Sequence, residues 1–283
     1  MKTLAFINLK GGVGKTVSAA NVAHILATVH RKKVLLVDAD KQGNASQYFR
    51  LYGNQDGTAE LMLNPERDPM EAVYSTEYKG LDVITSNMEL YAADRLLYED
   101  ERQDMPGALK AALSRLADDY DYCIIDNGPS VDTVTLNVLA AVDDVLVPIR
   151  PDMFSLSGLL DLSEQVKSVE AINPVIQLRG AFFTHWQNRP AFFEARETVE
   201  TSGICPVFTT AISFNPKVSE STLEARPLCV FAPRSWAAIQ YKKLTAEYLA
   251  LTDSGKGKEG VGRGEIRERR EKKEEMPAVW RRD

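Results

Sequence analysis

The sequence predicts an α/β fold, a doubly wound and mostly parallel sheet flanked by helices on both faces. Short apolar runs alternate with stretches of helical spacing from the first residue onward. These runs are continuous and show no polar alternation, as expected of strands that are buried on both faces. Strands that alternate with helices along the chain pair in parallel, through right-handed crossovers.

Five apolar runs are predicted to be strands of this sheet. They lie at 4–7, 34–37, 122–125, 145–149 and 178–183. Apolar residues at helical spacing predict the helices between and after them. These helices are expected at 17–29, within 87–119, at 156–172 and at 236–251.

Composition excludes several classes of protein. Of the 283 residues, 44% are apolar and 26% are charged, which is typical of a soluble globular protein. No apolar run approaches the roughly 20 residues that a membrane-spanning helix needs. Cys123, Cys205 and Cys229 show no C-x-x-C spacing, which argues against a disulfide framework and against a zinc site. We therefore expect a cytoplasmic protein.

After residue 252 the composition changes sharply. Residues 253–283 carry ten Lys and Arg against eight Asp and Glu, which leaves 24 against 32 in the rest of the chain. The mixed-charge run 264–275 has only Ile266 as an apolar residue and can bury very little. We predict a globular domain over 1–252 and a charged, disordered tail over 253–283. Because the domain is acidic, any DNA binding would need a local basic patch.

A glycine-rich segment lies between the first strand and the first helix. Its glycines allow backbone N–H groups to turn toward phosphate oxygens, and the helix N-terminus adds a favourable potential. Lys15 would supply a charge for the β- and γ-phosphates, and the Thr16 hydroxyl would be a magnesium ligand. The segment predicts a site for ATP and Mg²⁺ made by Lys10, Gly11, Gly12, Val13, Gly14, Lys15, Thr16 and Val17.

The same segment departs from the common pattern G-x-x-x-x-G-K-[ST]. Position 9 is leucine, and a second lysine, Lys10, precedes the paired glycines. This arrangement resembles the deviant Walker A loop of the ParA/MinD group of ATPases. The resemblance implies a P-loop nucleotide hydrolase that dimerises on ATP, in which Lys10 reaches the nucleotide held by the other subunit.

Two acidic segments extend the resemblance. Residues 34–46 resemble the family's D-x-D-P-Q-G-N segment, which implies that Asp40 orients the attacking water and that Asp38 supports the magnesium and the switch region. Residues 120–130 resemble the Walker B strand, which implies that Asp126 holds magnesium through water. The chain has Lys41 where relatives have proline, so a less rigid loop is expected after Asp40.

A second departure follows Asp126, where Asn127-Gly128 replaces the Cys-Pro or Thr-Pro of relatives. Residues 232–235 resemble the loop that packs against adenine, which implies a contact of Pro233 with the base. Similar segments at 147–159 and 218–228 extend the match to about residues 3–251.

Three branches of the group differ in features that the sequence can show. The cysteines do not follow the cluster-ligand positions of nitrogenase-reductase-like members, and the tail is too polar for the membrane helix of MinD-like members. ParA-like partition ATPases remain, and no stable membrane binding is expected. Resemblance to the small ParA proteins implies nonspecific DNA binding through Arg189 and Lys217, with Arg234 as a further candidate.

The function expected from this resemblance is ATP-dependent partition of DNA in the cytoplasm, on the nucleoid. An ATP-bound homodimer would bind DNA nonspecifically and be released when a ParB-like centromere-binding protein stimulates hydrolysis. One alternative is a ParA-like positioning ATPase for a protein cargo. The other is a MinD-like membrane-associated ATPase for division-site selection.

Overall fold

The computed structural model describes residues 1–54, 56–99, 107–152 and 154–255. By its internal contacts the chain divides into a first unit, 1–245, and a second unit, 246–283. The second unit is described only over 246–255, where it is helical. Residues 256–283 lie outside the described residues, so the predicted disordered tail stays a prediction.

The described residues form a seven-stranded sheet with the order β3-β4-β2-β5-β1-β6-β7. Every pairing is parallel except that of β3 with β4. The strands are β1 (Lys2–Phe6), β2 (Val34–Ala39), β3 (Val73–Ser75), β4 (Leu81–Ile84), β5 (Tyr122–Asn127), β6 (Asp144–Ile149) and β7 (Gln177–Phe183). The predicted fold class is confirmed.

Helices connect the strands and follow the last one. Within the described residues they are α1 (Lys15–Thr28), α2 (Asn44–Tyr48), α3 (Thr58–Leu63), the 3-10 helix Pro69–Ala72, α4 (Glu89–Glu99), α5 (Ala108–Arg115), α6 (Thr133–Ala141), α7 (Ser155–Ser168), α8 (Pro190–Ser202), α9 (Pro216–Leu223), α10 (Leu228–Phe231) and α11 (Trp236–Gly255). None of them is long and apolar enough to cross a membrane.

The central strands account for the continuous apolar runs. All residues of β2 and β6 are buried, as are all but the first residue of β1 and β5. Strand β3, at the edge of the sheet, and strand β4 beside it were not predicted. β3 has only three residues and none is buried, while β4 interrupts its apolar run with the half-buried Asp82. Neither strand therefore carries the pattern of a strand that is buried on both faces.

The register of the sheet positions the functional loops. Asp126 at the end of β5 lies beside Phe6 of β1 on one side and beside Asp38 of β2 on the other. The carboxyl ends of these three strands therefore meet at one edge, where open α/β sheets bind ligands. The phosphate loop follows β1 at this edge and leads into α1, whose residues 18–27 are all buried.

Candidate nucleotide-binding site

The phosphate loop adopts a backbone that requires glycine at two positions. Gly12 has a φ of +73° and Gly14 a φ of +90°, which L-residues rarely adopt. Gly14 is also the N-cap residue of α1 and has no side chain that could occupy the amides of the first turn. Those amides and the helix dipole therefore remain available to an anion.

Lys15 is held across the base of this loop. Its ammonium is buried and donates hydrogen bonds to the carbonyl oxygens of Asn8 (2.9 Å) and Lys10 (3.0 Å). Burial lowers the pKa of Lys15, and the charges of Asp126 and Asp40 oppose that shift. The ammonium thus lies between the loop and the acidic side chains, where it can neutralise phosphate charge.

Asp38 organises the loop that follows β2. Its carboxylate accepts hydrogen bonds from the Ser46 amide (2.8 Å), the Ser46 hydroxyl (2.7 Å) and the Asp40 amide (3.1 Å). Burial raises the pKa of Asp38 to about 6, although these hydrogen bonds oppose the shift. Support of the switch region fits these contacts, and a part in magnesium binding stays a prediction for Asp38.

Asp126 is buried and differs sharply from Asp38. Neither of its carboxylate oxygens has a hydrogen-bond partner among the residues that the structure describes. Burial raises the pKa of Asp126 well above its usual range, and the neighbouring charge of Asp38 adds to the shift, while the Thr16 hydroxyl and Lys15 oppose it. A buried carboxylate without partners is costly. A divalent cation nearby would offset that cost, so this residue fits the predicted magnesium site.

The metal would still need ligands from outside the chain. Within the described ranges, no three His, Cys, Asp or Glu side chains are grouped closely enough to hold a metal ion. Magnesium beside nucleotides is usually held by one or two protein oxygens, by phosphates and by water. The Thr16 hydroxyl and the Asp126 carboxylate match that requirement.

Asp40 lines a cavity that the phosphate loop borders. The cavity has a volume of about 470 Å³, and residues of the phosphate loop form part of its lining. Asp40 Oδ1 accepts a hydrogen bond from the Gln42 amide at 3.0 Å. A Cβ atom placed on Gly128 would lie 3.4 Å from the same oxygen, so the segment after β5 packs directly against this carboxylate.

Sequence reasoning missed several of the residues that line this cavity outside the phosphate loop. Its lining side chains come from loops and helices far apart in the chain: Thr184, His185, Ile212, Phe214, Val218, Thr222 and Tyr241. Thr184 and His185 directly follow β7 at the ligand-binding edge of the sheet, a position that could have indicated them. Pro233 is exposed and does not line this cavity, and its contact with the base stays a prediction.

Lys10 does not line the cavity that holds Asp40. Its ammonium pairs with the carboxylate of Asp152 and lies 5.6 Å from the centroid of the Phe154 ring. It lines a separate pocket of about 310 Å³ on the other side of the phosphate loop. The Lys10 ammonium therefore contacts Asp152 and Phe154, and the residue does not line the cavity beside the phosphate loop.

The three predicted DNA-binding residues are exposed. Arg189 is the N-cap residue of α8, and Lys217 lies in the first turn of α9. Backbone hydrogen bonds of Trp186 with Ile212 (3.0 Å) and Phe214 (2.9 Å) join the two loops that lead into these helices. The Lys217 ammonium pairs with Glu220 and lies 5.8 Å from the centroid of the Phe231 ring. Arg234 lies separately, between α10 and α11.

P-loop nucleotide-binding proteins have a glycine-rich loop after the first strand of a parallel sheet, and carboxylates at the ends of neighbouring strands lie near the lysine of that loop. The same arrangement is present here. The chain is a protein of this class.

Comparisons with known proteins identify the family. A family model described as an AAA domain matches residues 1–178. The chain is 35% identical to the chromosome-partitioning ATPase Soj of Treponema pallidum over 251 residues, 88% of this chain and 97% of that protein. It is 32% identical to the sporulation initiation inhibitor protein Soj of Bacillus subtilis, over 88% of this chain and 98% of that one. The chain belongs to the ParA/Soj family of P-loop ATPases, which confirms the resemblance seen in its motifs.

Solved structures agree on the fold. Apo McdA from Cyanothece has a TM-score of 0.78 at 24% identity and covers 88% of this chain and 99% of its own. Cobyrinic acid a,c-diamide synthase from Mycobacterium smegmatis, solved with an ATP analogue and magnesium, has a TM-score of 0.76 at 27% identity. That match covers 90% of this chain and 97% of the synthase.

Proposed function

We propose that this chain is an ATP- and Mg²⁺-dependent partition ATPase that dimerises on ATP and binds DNA without sequence preference. A ParB-like centromere-binding protein would stimulate hydrolysis and release the dimer from DNA. The observation that carries the proposal is the pair of lysines in the phosphate loop. Lys15 lies among the charges of the acidic strand ends of its own chain, whereas the Lys10 ammonium pairs with Asp152, a contact that it would exchange for the nucleotide of a facing copy.

Nucleotide binding would use the backbone of the phosphate loop and the charge of Lys15. The phosphates would replace the carbonyl oxygens of Asn8 and Lys10 as partners of the Lys15 ammonium. Thr16 and Asp126 would hold magnesium, with Asp38 supporting the switch region. The metal, when bound, neutralises charge that develops between the β- and γ-phosphates.

Asp40 would orient the water that attacks the γ-phosphate. Its carboxylate lines the cavity, and the Gln42 amide fixes one of its two oxygens. Asn44 Nδ2 lies 3.5 Å from the other oxygen, a weak contact that leaves this oxygen able to accept a hydrogen bond from water. Positioning of this kind, together with electrostatic stabilisation, provides most of the catalysis in phosphoryl transfer.

DNA binding would depend on exposed cations of the dimer, with Arg189, Lys217 and Arg234 as contacts to phosphates. Such contacts carry no base information, so binding would be independent of sequence. Because the globular domain, 1–252, is acidic, DNA would bind only where these three cations lie. The charged tail 253–283 would be a separate segment. The protein would then act in the cytoplasm, associated with the nucleoid.

The decisive experiment measures binding of a random-sequence DNA duplex with ATP, with ADP and without nucleotide. Binding with ATP alone is expected, and it should weaken steeply with salt. Absence of DNA binding in all three conditions would refute the partition proposal. Flotation with anionic liposomes in ATP would then indicate a MinD-like protein. Binding to DNA without any response to a ParB-like protein would instead indicate an ATPase that positions a protein cargo.

A further inference from the structure

The side chain of Lys41 forms a three-way ion pair beside Asp40. Its ammonium donates hydrogen bonds to Asp132 Oδ2 at 2.7 Å and to Asp94 Oδ2 at 2.8 Å. It also lies 5.2 Å from the centroid of the Tyr91 ring. The Lys41 and Asp132 side chains are each only 15% exposed and that of Asp94 is 20% exposed, so this pair is less screened by water than a surface ion pair.

The carboxylates that hold Lys41 are themselves tied to α6. Asp132 is the N-cap residue of α6, and its Oδ1 accepts the Thr135 amide at 2.9 Å. Asp94 extends from α4, and its Oδ1 lies 3.3 Å from the Val134 amide, the second residue of α6. Lys41 therefore connects the loop after β2 to two helices that bond to one another.

The hydrogen bonds of Lys41 and Asp132 shift the pKa values of both side chains. Burial lowers the pKa of Lys41, but the hydrogen bonds to Asp132 and Asp94 outweigh it, and the pKa is raised overall. Burial raises the pKa of Asp132, but the hydrogen bonds from Lys41, Ser130 and Thr135 outweigh it, and that pKa is lowered overall. The pair is thus charged at neutral pH on both sides.

This network borders the Asp40 carboxylate from two directions. Lys41 is the next residue along the chain, and Gln42, whose amide bonds to Asp40, donates its side-chain amide to the Tyr91 hydroxyl at 2.9 Å. On the other side Gly128 packs against Asp40, and the segment that follows it leads to Asp132. A pocket of about 330 Å³ lies between these elements and is lined by Asp40 as well.

We infer that Lys41 is a positioning residue for hydrolysis: by joining Asp132 and Asp94 it holds the loop of Asp40 against the segment after β5. The inference rests on the proposed role of Asp40. Proline at position 41 would restrict the backbone directly through its ring. Lysine leaves φ free, so in this chain the side chain supplies the restraint through its two carboxylate partners. The loop after Asp40, which the sequence predicts to be less rigid, is thus restrained by the Lys41 side chain.

Steady-state ATP hydrolysis by Lys41→Met tests the inference. The substitution keeps an unbranched side chain, one atom shorter, but removes its charge, and kcat should fall by about 10- to 100-fold, the range typical of a misplaced catalytic group. KM for ATP should not change, since the phosphate loop is untouched. Lys41→Arg keeps the charge and should restore most of the lost rate.

Lys2→Met is the matched control. Lys2 also pairs with two carboxylates, Asp143 (3.7 Å) and Asp144 (3.1 Å), but at the opposite end of the sheet. Its replacement should leave kcat and KM unchanged. If Lys41→Met cannot be obtained folded, Asp94→Asn takes its place, because it removes one of the two partners without a change of size.

The outcomes separate the inference from the proposed function. Wild-type hydrolysis by Asp40→Ala would refute the role of Asp40 itself. Loss of hydrolysis in Asp40→Ala with normal kcat in Lys41→Met and Asp94→Asn would overturn only the inference about Lys41. A Lys41→Met variant with raised KM and unchanged kcat would overturn it too, because the network would then serve nucleotide binding. Failure of Lys41→Arg to restore the rate would contradict a role based on charge.

Discussion

Replacement of Asp126 by asparagine should stabilise the nucleotide-free protein while it weakens magnesium binding. The carboxylate is buried, has no hydrogen-bond partner among the described residues and lies beside Asp38, which also carries a raised pKa. Leaving a buried polar group unsatisfied costs about 1–3 kcal/mol, and a charged group costs more. Asp126→Asn removes the charge and introduces an amide that can donate to the neighbouring carboxylates. We expect the free energy of unfolding to rise by about 1–3 kcal/mol at neutral pH.

The stability difference between Asp126→Asn and the wild type should depend on pH. Because the pKa of Asp126 is raised in the folded protein, the wild type loses stability as pH rises above the unfolded value of about 4. The advantage of the variant should therefore be small at about pH 4.5 and larger at about pH 7.5. Urea denaturation without nucleotide or metal, at both pH values, measures it.

Asp132→Asn is the matched control for this experiment. Asparagine is an equally good N-cap residue, but the substitution removes one partner of Lys41, so this variant should lose stability at neutral pH. A second measurement adds ATP and Mg²⁺, which should raise the melting temperature of the wild type more than that of Asp126→Asn. An Asp126→Asn protein that is less stable than the wild type at about pH 7.5 without ligands would refute the reasoning.

Four further variants test the remaining residues. Lys15→Ala should lose nucleotide binding, because the phosphates lose their charged partner; unchanged binding of labelled ATP would show that the phosphate loop is misassigned. Lys10→Ala should bind ATP as a monomer but dimerise weakly in light scattering with size exclusion, and a normal ATP dimer would mean that Lys10 is only a loop residue. Asp40→Ala should bind ATP and stay dimeric without hydrolysis, which a phosphate-release assay checks. Arg189→Glu combined with Lys217→Glu should weaken DNA binding equally on unrelated sequences and reduce the log–log salt slope by about 0.9 per lost contact, with ATPase activity retained.

The polar half of the site could be predicted because its signals are local. The spacing of Gly11, Gly14 and Lys15, and of Asp38 and Asp40, is set within one turn or one strand end. Strands β2 and β5 are neighbours in the parallel sheet, and their register brings Asp126 beside Asp38. Continuous apolar runs identified the central strands for the same reason.

The cavity lining outside the phosphate loop and the acidic strand ends could not be predicted in this way. Phe214 and Tyr241 reach the cavity from separate parts of the chain, and neither belongs to a pattern with a fixed spacing. The partners of Lys41 are similarly remote, since Asp94 and Asp132 follow it by 53 and 91 residues. Contacts of that kind depend on how loops pack after the sheet has formed, which local spacing does not encode.

The burial of α1 also determines which parts of the molecule can move. Ser18 shares a hydrogen bond with Tyr241 at 3.1 Å, and the Asn21 side chain accepts the Leu228 amide at 2.8 Å, so this helix is anchored on its polar positions as well as its apolar ones. Tilting α1 would break these hydrogen bonds and disrupt the packing of its buried residues. Helix α1, which follows the phosphate loop, is therefore held in place. Conformational changes that accompany ATP binding and hydrolysis must then occur in the loops around it. Structures solved in different nucleotide states should superpose on α1 and the central strands, and differ at residues 40–43 and 128–132, which should move together because Lys41 joins them.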